Sequence, residues 1–221
     1  MIERLPDDCF LMENTFVLID AGFLSKLSRY YGKGRYLRYD LIKLAKLIAQ
    51  KQNLVCKKIF YYTAPPFQSP KPTKEENKRK EDYDSFIKKI KLSPEILVRE
   101  GRCQRLKLNG KYKYKQKGVD ILLAMDLMEI KLKYPEVRKV ILIASDSDFV
   151  PIVNSLKEKN IKTFLCTYYI NKRNTNFSRS NYLLDVVTQY FKLTKEDFDK
   201  CPLNKKTENK IFSSKISRRK I

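Results

Sequence analysis

The run Val140-Ile-Leu-Ile-Ala-Ser-Asp-Ser-Asp-Phe149 passes directly from five apolar residues to two aspartates one residue apart. It has the length and β-branched content of a buried strand. Pro151, just beyond it, suits the first turn of a helix, where its missing N–H leaves no bond unmade. Carboxylates at the end of a central strand constrain the fold strongly, because open α/β sheets bind their ligands at the carboxyl edge.

The rest of the chain supplies partners for that strand. Phe16-Val-Leu-Ile19 is a short apolar run ending at Asp20, and Ala21-Gly22 provides the turn from strand to helix. Asp40 is placed to cap a helix whose apolar residues at 41, 44, 45 and 48 share one face. Leu54-Val-Cys56 and Ile59-Phe-Tyr-Tyr62 predict a second strand, stopped by Pro65-Pro66. Four prolines and a Lys/Glu-rich run between 65 and 82 predict an exposed loop entering a charged helix from about 75 to 92. Ile96–Arg99 and Arg105–Leu108 flank an expected hairpin turning at Asn109-Gly110. Gly118-Val-Asp120 opens a long helix to about 133, apolar on nearly all sides and so expected to be buried. A strand at 140–144, a helix at 148–159, a strand at 161–166 and a helix near 179–192 complete the alternation. The predicted class is α/β, with a mostly parallel central sheet flanked by helices and a basic β-hairpin insertion.

Charge narrows the function. The chain holds 47 Lys and Arg against 25 Asp and Glu, a net charge of +22, which points to a polyanionic partner. It contains no histidine, so RNA cleavage by a His pair and a Ser-His-Asp triad are both excluded. Cysteines at 9, 56, 103, 166 and 201 form no Cys-x-x-Cys pair, which argues against a disulfide framework or zinc knuckle and for a reducing cytoplasm. The acidic start lacks the pattern of a signal peptide, and no apolar stretch approaches the roughly twenty residues of a membrane span. Neither a G-x-x-x-x-G-K-[ST] loop nor a G-x-G-x-x-G turn is present. The expected organisation is an extension at 1–14, a domain at 15–192 and a basic tail at 193–221, its charge concentrated from Asn204.

Asp20, Asp120, Asp146 and Asp148 all fall where strands end or helices begin, and parallel strands would gather them on one edge. Mg²⁺ or Mn²⁺ takes such oxygen ligands, and a carboxylate-held ion polarises a phosphoryl oxygen and supplies hydroxide. Any one aspartate would equally serve as a helix cap or turn acceptor. Four on one predicted edge favour the metal. Asp126 lies six residues past Asp120, about 120° around the helix, so it is expected to assist from behind the ion or to bond elsewhere in the core.

Leu18-Ile-Asp-Ala-Gly22, Lys117-Gly-Val-Asp-Ile-Leu-Leu-Ala-Met-Asp126 and Ile143-Ala-Ser-Asp-Ser-Asp-Phe-Val-Pro151, in that order, resemble the NYN family of PIN-like ribonuclease domains, in particular its LabA-like branch. The resemblance spans about residues 15–192. It implies a Rossmann-like PIN fold and metal-dependent endonucleolytic cleavage of RNA. Asp20, Asp120, Asp146 and Asp148 match the family's acidic site, and Asp126 matches a recurrent acid of the helix motif. Phe23 stands where many relatives carry Asn, Ser145 where Gly is frequent, and Thr188 near where an acid is often found.

A basic run of Arg99, Arg102, Arg105, Lys107, Lys111, Lys113, Lys115 and Lys117 leads into Asp120. It would track a phosphate backbone while Tyr112 and Tyr114 stack on bases; the plain alternative is a solvated hairpin. Lys172, Arg173 and Arg179 follow the strand ending at Cys166, again near the expected edge. The function expected is a metal-dependent endoribonuclease acting on single-stranded or structured RNA. The alternative is a non-catalytic RNA-binding module of the same fold, and the assembly considered is a homodimer.

Overall fold

The computed structural model describes residues 12–171, 175 and 177–203. Their core is a six-stranded sheet ordered β3-β2-β1-β6-β7-β8, every neighbouring pair parallel. The strands are β1 (Glu13–Asp20), β2 (Leu54–Thr63), β3 (Ile96–Glu100), β6 (Lys139–Ile143), β7 (Lys162–Thr167) and β8 (Gln189–Lys192). A separate antiparallel pair, β4 (Arg102–Leu108) and β5 (Lys111–Lys117), joins β3 to the following helix.

Alternation along the central strands divides the core in two. Val17, Ile19, Ile141 and Ile143 pack with α1 (Ala21–Tyr31), α2 (Leu41–Gln50), α3 (Lys74–Ile90) and α7 (Lys195–Asp199). Phe16, Leu18, Val140 and Leu142 pack with α4 (Val119–Lys133), α5 (Val150–Glu158) and α6 (Asn181–Val186). Helices on both faces account for the unbroken apolar runs of β1 and β6. As the spacing predicted, Asp40 caps α2, accepting from the amides of Ile42 and Lys43 at 3.1 Å.

The topology fixes where a ligand can sit. From β1 the chain winds outward through β2 to β3, and from β6 it winds the other way through β7 to β8. The carboxyl ends of β1 and β6, which pair from Phe16↔Val140 to Ile19↔Ile143, therefore flank the point where strand order reverses. This is the crevice position of open α/β folds.

Four expectations need correction. Ile96–Arg99 belongs to the sheet edge, pairing with β2, so the hairpin is β4–β5 alone. It turns at Asn109 and Gly110, whose φ values of 49° and 75° fit a primed turn. The helix expected near 179–192 stops at Val186, and Gln189–Lys192 instead extends the sheet beside β7. Helix α4 is not buried all round: Ile121, Met125, Met128 and Leu132 form an exposed apolar stripe at spacings of one turn. Finally, the packed fold continues past residue 192. Thr194 and Asp197 form a capping box on α7, Asp197 is buried against Lys51 at 2.8 Å, and Leu193, Phe198 and Cys201 are buried. The basic stretch from Asn204 lies outside the described residues, as do residues 1–11. Among the described residues, no helix is long and apolar enough to cross a membrane, and Cys56, Cys103, Cys166 and Cys201 are free thiols.

Candidate functional site

Each acid is set by a local backbone event. Asp20 ends β1 in extended conformation and caps α1, its Oδ1 accepting from Gly22 N at 2.8 Å. Asp146 follows β6, again extended, and caps the short 3-10 turn Ser147–Phe149 by accepting from Asp148 N at 3.0 Å. Asp148 sits within that turn, exposed, ahead of α5 and its Pro151. Asp120 stands in the first turn of α4, after Gly118 with φ of 79°, a conformation that a residue with a Cβ adopts only under strain. A second glycine holds the hairpin base to this corner. A Cβ on Gly101 would come 2.5 Å from Lys117 O and 2.9 Å from Val119 Cγ2.

These acids lie close enough for their charges to act on one another in pairs. Burial raises the Asp20 carboxyl to about 6, opposed by amides of Phe23 and Gly22 and reinforced by the charges of Asp120 and Asp146. Asp120 is also raised, first by burial and then by Asp146 and Asp148, with Lys115 acting the other way. Asp20, Asp120 and Asp146 thus act on one another across the switch point and Asp148 acts on Asp120, with Asp20 and Asp120 at the N-terminal ends of α1 and α4, where helix dipoles favour negative charge.

Such a set fits a hard divalent cation by donor type, since every ligand offered is a carboxylate oxygen. Mutual repulsion and a proton retained by Asp20 to about pH 6 are what a cation would relieve. Among the described residues, no three His, Cys, Asp or Glu side chains are arranged to hold an ion as they stand. One oxygen each of Asp20 and Asp146 is engaged by a backbone amide, so an ion held here would need their free oxygens and a rotation of the exposed Asp120 and Asp148.

Asp126 is placed otherwise. It is buried in α4, accepts from Tyr62 Oη at 3.0 Å, and its Oδ2 lies 3.1 Å from Arg99 Nε. Its carboxylate is therefore spent on a core ion pair. The same pair turns Arg99, expected on the nucleic-acid surface, inward against Asp126.

The remaining basic residues of the run lie on the hairpin. Arg102, Lys107, Lys111, Lys113, Lys115 and Lys117 are exposed, as are Tyr112 and Tyr114. Arg105 is half-buried between Phe67 and Tyr112. Arg179 is exposed with its guanidinium over the Tyr169 ring, 5.3 Å from the centroid, while Lys172 and Arg173 lie outside the described residues. Phe177 is core, packed with Tyr30 and Tyr168.

Sequence reasoning missed Gln116 and Phe67. Gln116 Oε1 and Asp20 Oδ1 both lie 3.1 Å from where a Cβ on Gly22 would stand, so the side chain one residue before the end of β5 reaches the acidic corner. Its only sequence signal is an uncharged residue alternating with lysines.

Residues 14–193 match the NYN domain family, a stretch that contains the whole six-stranded sheet except the first residue of β1. A crystal structure of a protein of unknown function from Vibrio parahaemolyticus RIMD 2210633 is similar, with a TM-score of 0.53 at 16% identity over 87% of this chain and 99% of that one. Likeness at that identity concerns the fold. No curated protein matches the chain. With its fold, its three acidic motifs and this match in agreement, the chain belongs to the NYN domain family of the PIN-like superfamily.

Proposed function

We propose that the protein is a divalent-metal-dependent endoribonuclease that hydrolyses RNA phosphodiester bonds at the edge formed by Asp20, Asp120, Asp146 and Asp148. One observation carries the reading: at the strand-order reversal of a chain with net charge +22, the charges of Asp120 and Asp146 act on Asp20, and those of Asp146 and Asp148 act on Asp120. Nuclease character at family level agrees with it. A bound Mg²⁺ or Mn²⁺ would offset phosphate charge and acidify water. Asp20, Asp120 and Asp146 would hold it, with Asp148 on the open side. Since the chain has no histidine, the proton lost by the attacking water passes to a carboxylate. Lys115, already acting on Asp120, would counter charge on the phosphate, and the hairpin lysines would hold the flanking backbone. The water oxygen would bond to phosphorus as the P–O3′ bond breaks, and the departing 3′-oxygen would take a proton from solvent, leaving a 5′-phosphate and a 3′-hydroxyl. A reducing cytoplasm is the setting proposed from the free cysteines.

The alternative, a domain of this fold that holds RNA without cutting it, is favoured by the absence of three pre-arranged ligands among the described residues. One experiment separates the two. End-labelled RNA is incubated with purified protein and Mn²⁺, with and without chelator, and the product ends are identified. Chelator-sensitive products with 5′-phosphates support hydrolysis at the acidic edge. Intact RNA, or 2′,3′-cyclic phosphates formed regardless of chelator, would refute it.

A further inference from the structure

The hairpin carries two different rows. In an antiparallel pair, directly opposed residues share a face, so Arg105 lies with Tyr114, Lys107 with Tyr112 and Cys103 with Gln116. Lys111, Lys113, Lys115 and Lys117 occupy the other face of β5. One face therefore carries the lysines of β5, and the other carries Tyr112 and Tyr114 with Lys107 and Arg105 opposite them.

The aromatic row is braced from below. The Arg105 guanidinium lies 4.6 Å from the Phe67 ring centroid and 4.5 Å from that of Tyr112. Phe67 also backs Tyr114 at 5.8 Å between centroids. Cation–π contact and ring packing hold both tyrosines in place, yet Tyr112 remains 55% and Tyr114 48% exposed. Braced but open rings on a basic ribbon have what a base needs: a fixed π-face beside charges that retain the backbone. Alternate strand residues stand about 6.7 Å apart, roughly twice the rise between stacked bases, so each ring has room for its own base. The row ends at Gln116 beside Asp20.

Building on the nuclease reading above, we infer that this hairpin selects single-stranded RNA, stacking successive bases on Tyr112 and Tyr114 and leading the backbone past Gln116 to the acidic edge. A duplex offers phosphates to the lysines but no free base face to the rings, because each base is covered by its neighbours. The lysines supply attraction common to both forms, and the tyrosines supply the preference.

The test measures binding under chelator, so that cleavage plays no part. Fluorescence anisotropy compares a labelled single-stranded oligoribonucleotide, the same strand in duplex, and a strand bearing abasic sites. The proteins are wild type, Tyr112→Ala with Tyr114→Ala, and the corresponding double Phe variant. Loss of one stacked base weakens binding by about fivefold to a hundredfold, so the Ala variant should lose at least that much on the single strand. It should keep its duplex affinity, and the Phe variant should match wild type throughout. Wild type should bind the abasic strand about as weakly as the Ala variant binds the intact one. Equal losses on single strand and duplex, or undiminished single-strand binding by the Ala variant, would overturn the inference while leaving the nuclease reading intact. A wild-type protein that binds neither form would overturn both.

Discussion

Replacing Asp20 by Asn should make the metal-free protein more stable while removing its function. Burial and the neighbouring Asp120 and Asp146 raise this carboxyl from 3.8 to about 6, which corresponds to about 3 kcal/mol. The sign follows from linkage: a raised folded-state value means the protonated group favours the fold. That contribution is complete below pH about 4, and is lost as pH rises through about 6. At pH 8 without divalent ions, the folded protein therefore holds an ionised Asp20 at a cost. Asn keeps the bond from Gly22 N and serves equally well as an N-cap, but carries no charge. Discounted for solvent at this half-buried edge, the gain should be about 1 to 3 kcal/mol, or about 3 to 8 °C in Tm for a domain of this size. Denaturation in chelator at pH 8 and pH 5 measures it. The variant should be more stable than wild type at pH 8 and should show a flatter pH dependence between about 4 and 6. Saturating Mn²⁺ should then stabilise wild type, by about 2.7 kcal/mol at a hundredfold excess over Kd, and the variant much less. A variant less stable than wild type at pH 8, with an unchanged pH slope, would refute the claim that Asp20 is held against its own charge.

Other consequences are more local. Asp126→Asn should leave Arg99 facing a neutral amide and destabilise the fold by about 2 to 3 kcal/mol, below the cost for a fully buried pair because Arg99 is half-exposed; calorimetric Mn²⁺ affinity should hold, and a loss would return Asp126 to the metal site. Neutralising Lys111, Lys113 and Lys115 together should reduce the salt slope of single-strand binding by about 2 if each contacts a phosphate, and an unchanged slope would assign them to solvent. Truncation after Leu203 should preserve Tm and weaken binding to long RNA. Truncation after Lys192 should instead unfold the protein, because it removes the buried Phe198 and the Asp197–Lys51 pair; equal melting of the two truncations would contradict the packing of α7.

The acidic corner was legible because each of its members ends an apolar run or opens a helix, and those transitions are local. Asp20 after Phe16–Ile19 and Asp146 after Val140–Ala144 needed only the rule that parallel strands align their carboxyl ends. The Arg99–Asp126–Tyr62 cluster was not legible, since its members lie on β3, α4 and β2 and meet only through sheet order. Strand β8 escaped because Gln189–Lys192 is four residues long, too short for its period to show against the helix before it. On α4, one uniformly apolar sequence became a core face with Leu123, Leu127 and Ile130 and an exposed stripe with Met125 and Met128. Hydrophobicity alone does not tell those sides apart. Gln116 and Phe67 gained meaning only when the hairpin folded back beside β1 and the loop after β2.

The most direct measurement is single-turnover cleavage of a labelled single-stranded RNA by wild type and Asp146→Asn under saturating Mn²⁺, with Tm and RNA affinity recorded for both. Asn can still accept from Asp148 N and cap the 3-10 turn, so fold and binding should be retained. Wild type should cut the RNA and lose that activity on chelation, while the variant should be slower by at least about a hundredfold. Cleavage by the variant at the wild-type rate would contradict the central claim that the carboxylates beyond β1 and β6 carry the chemistry.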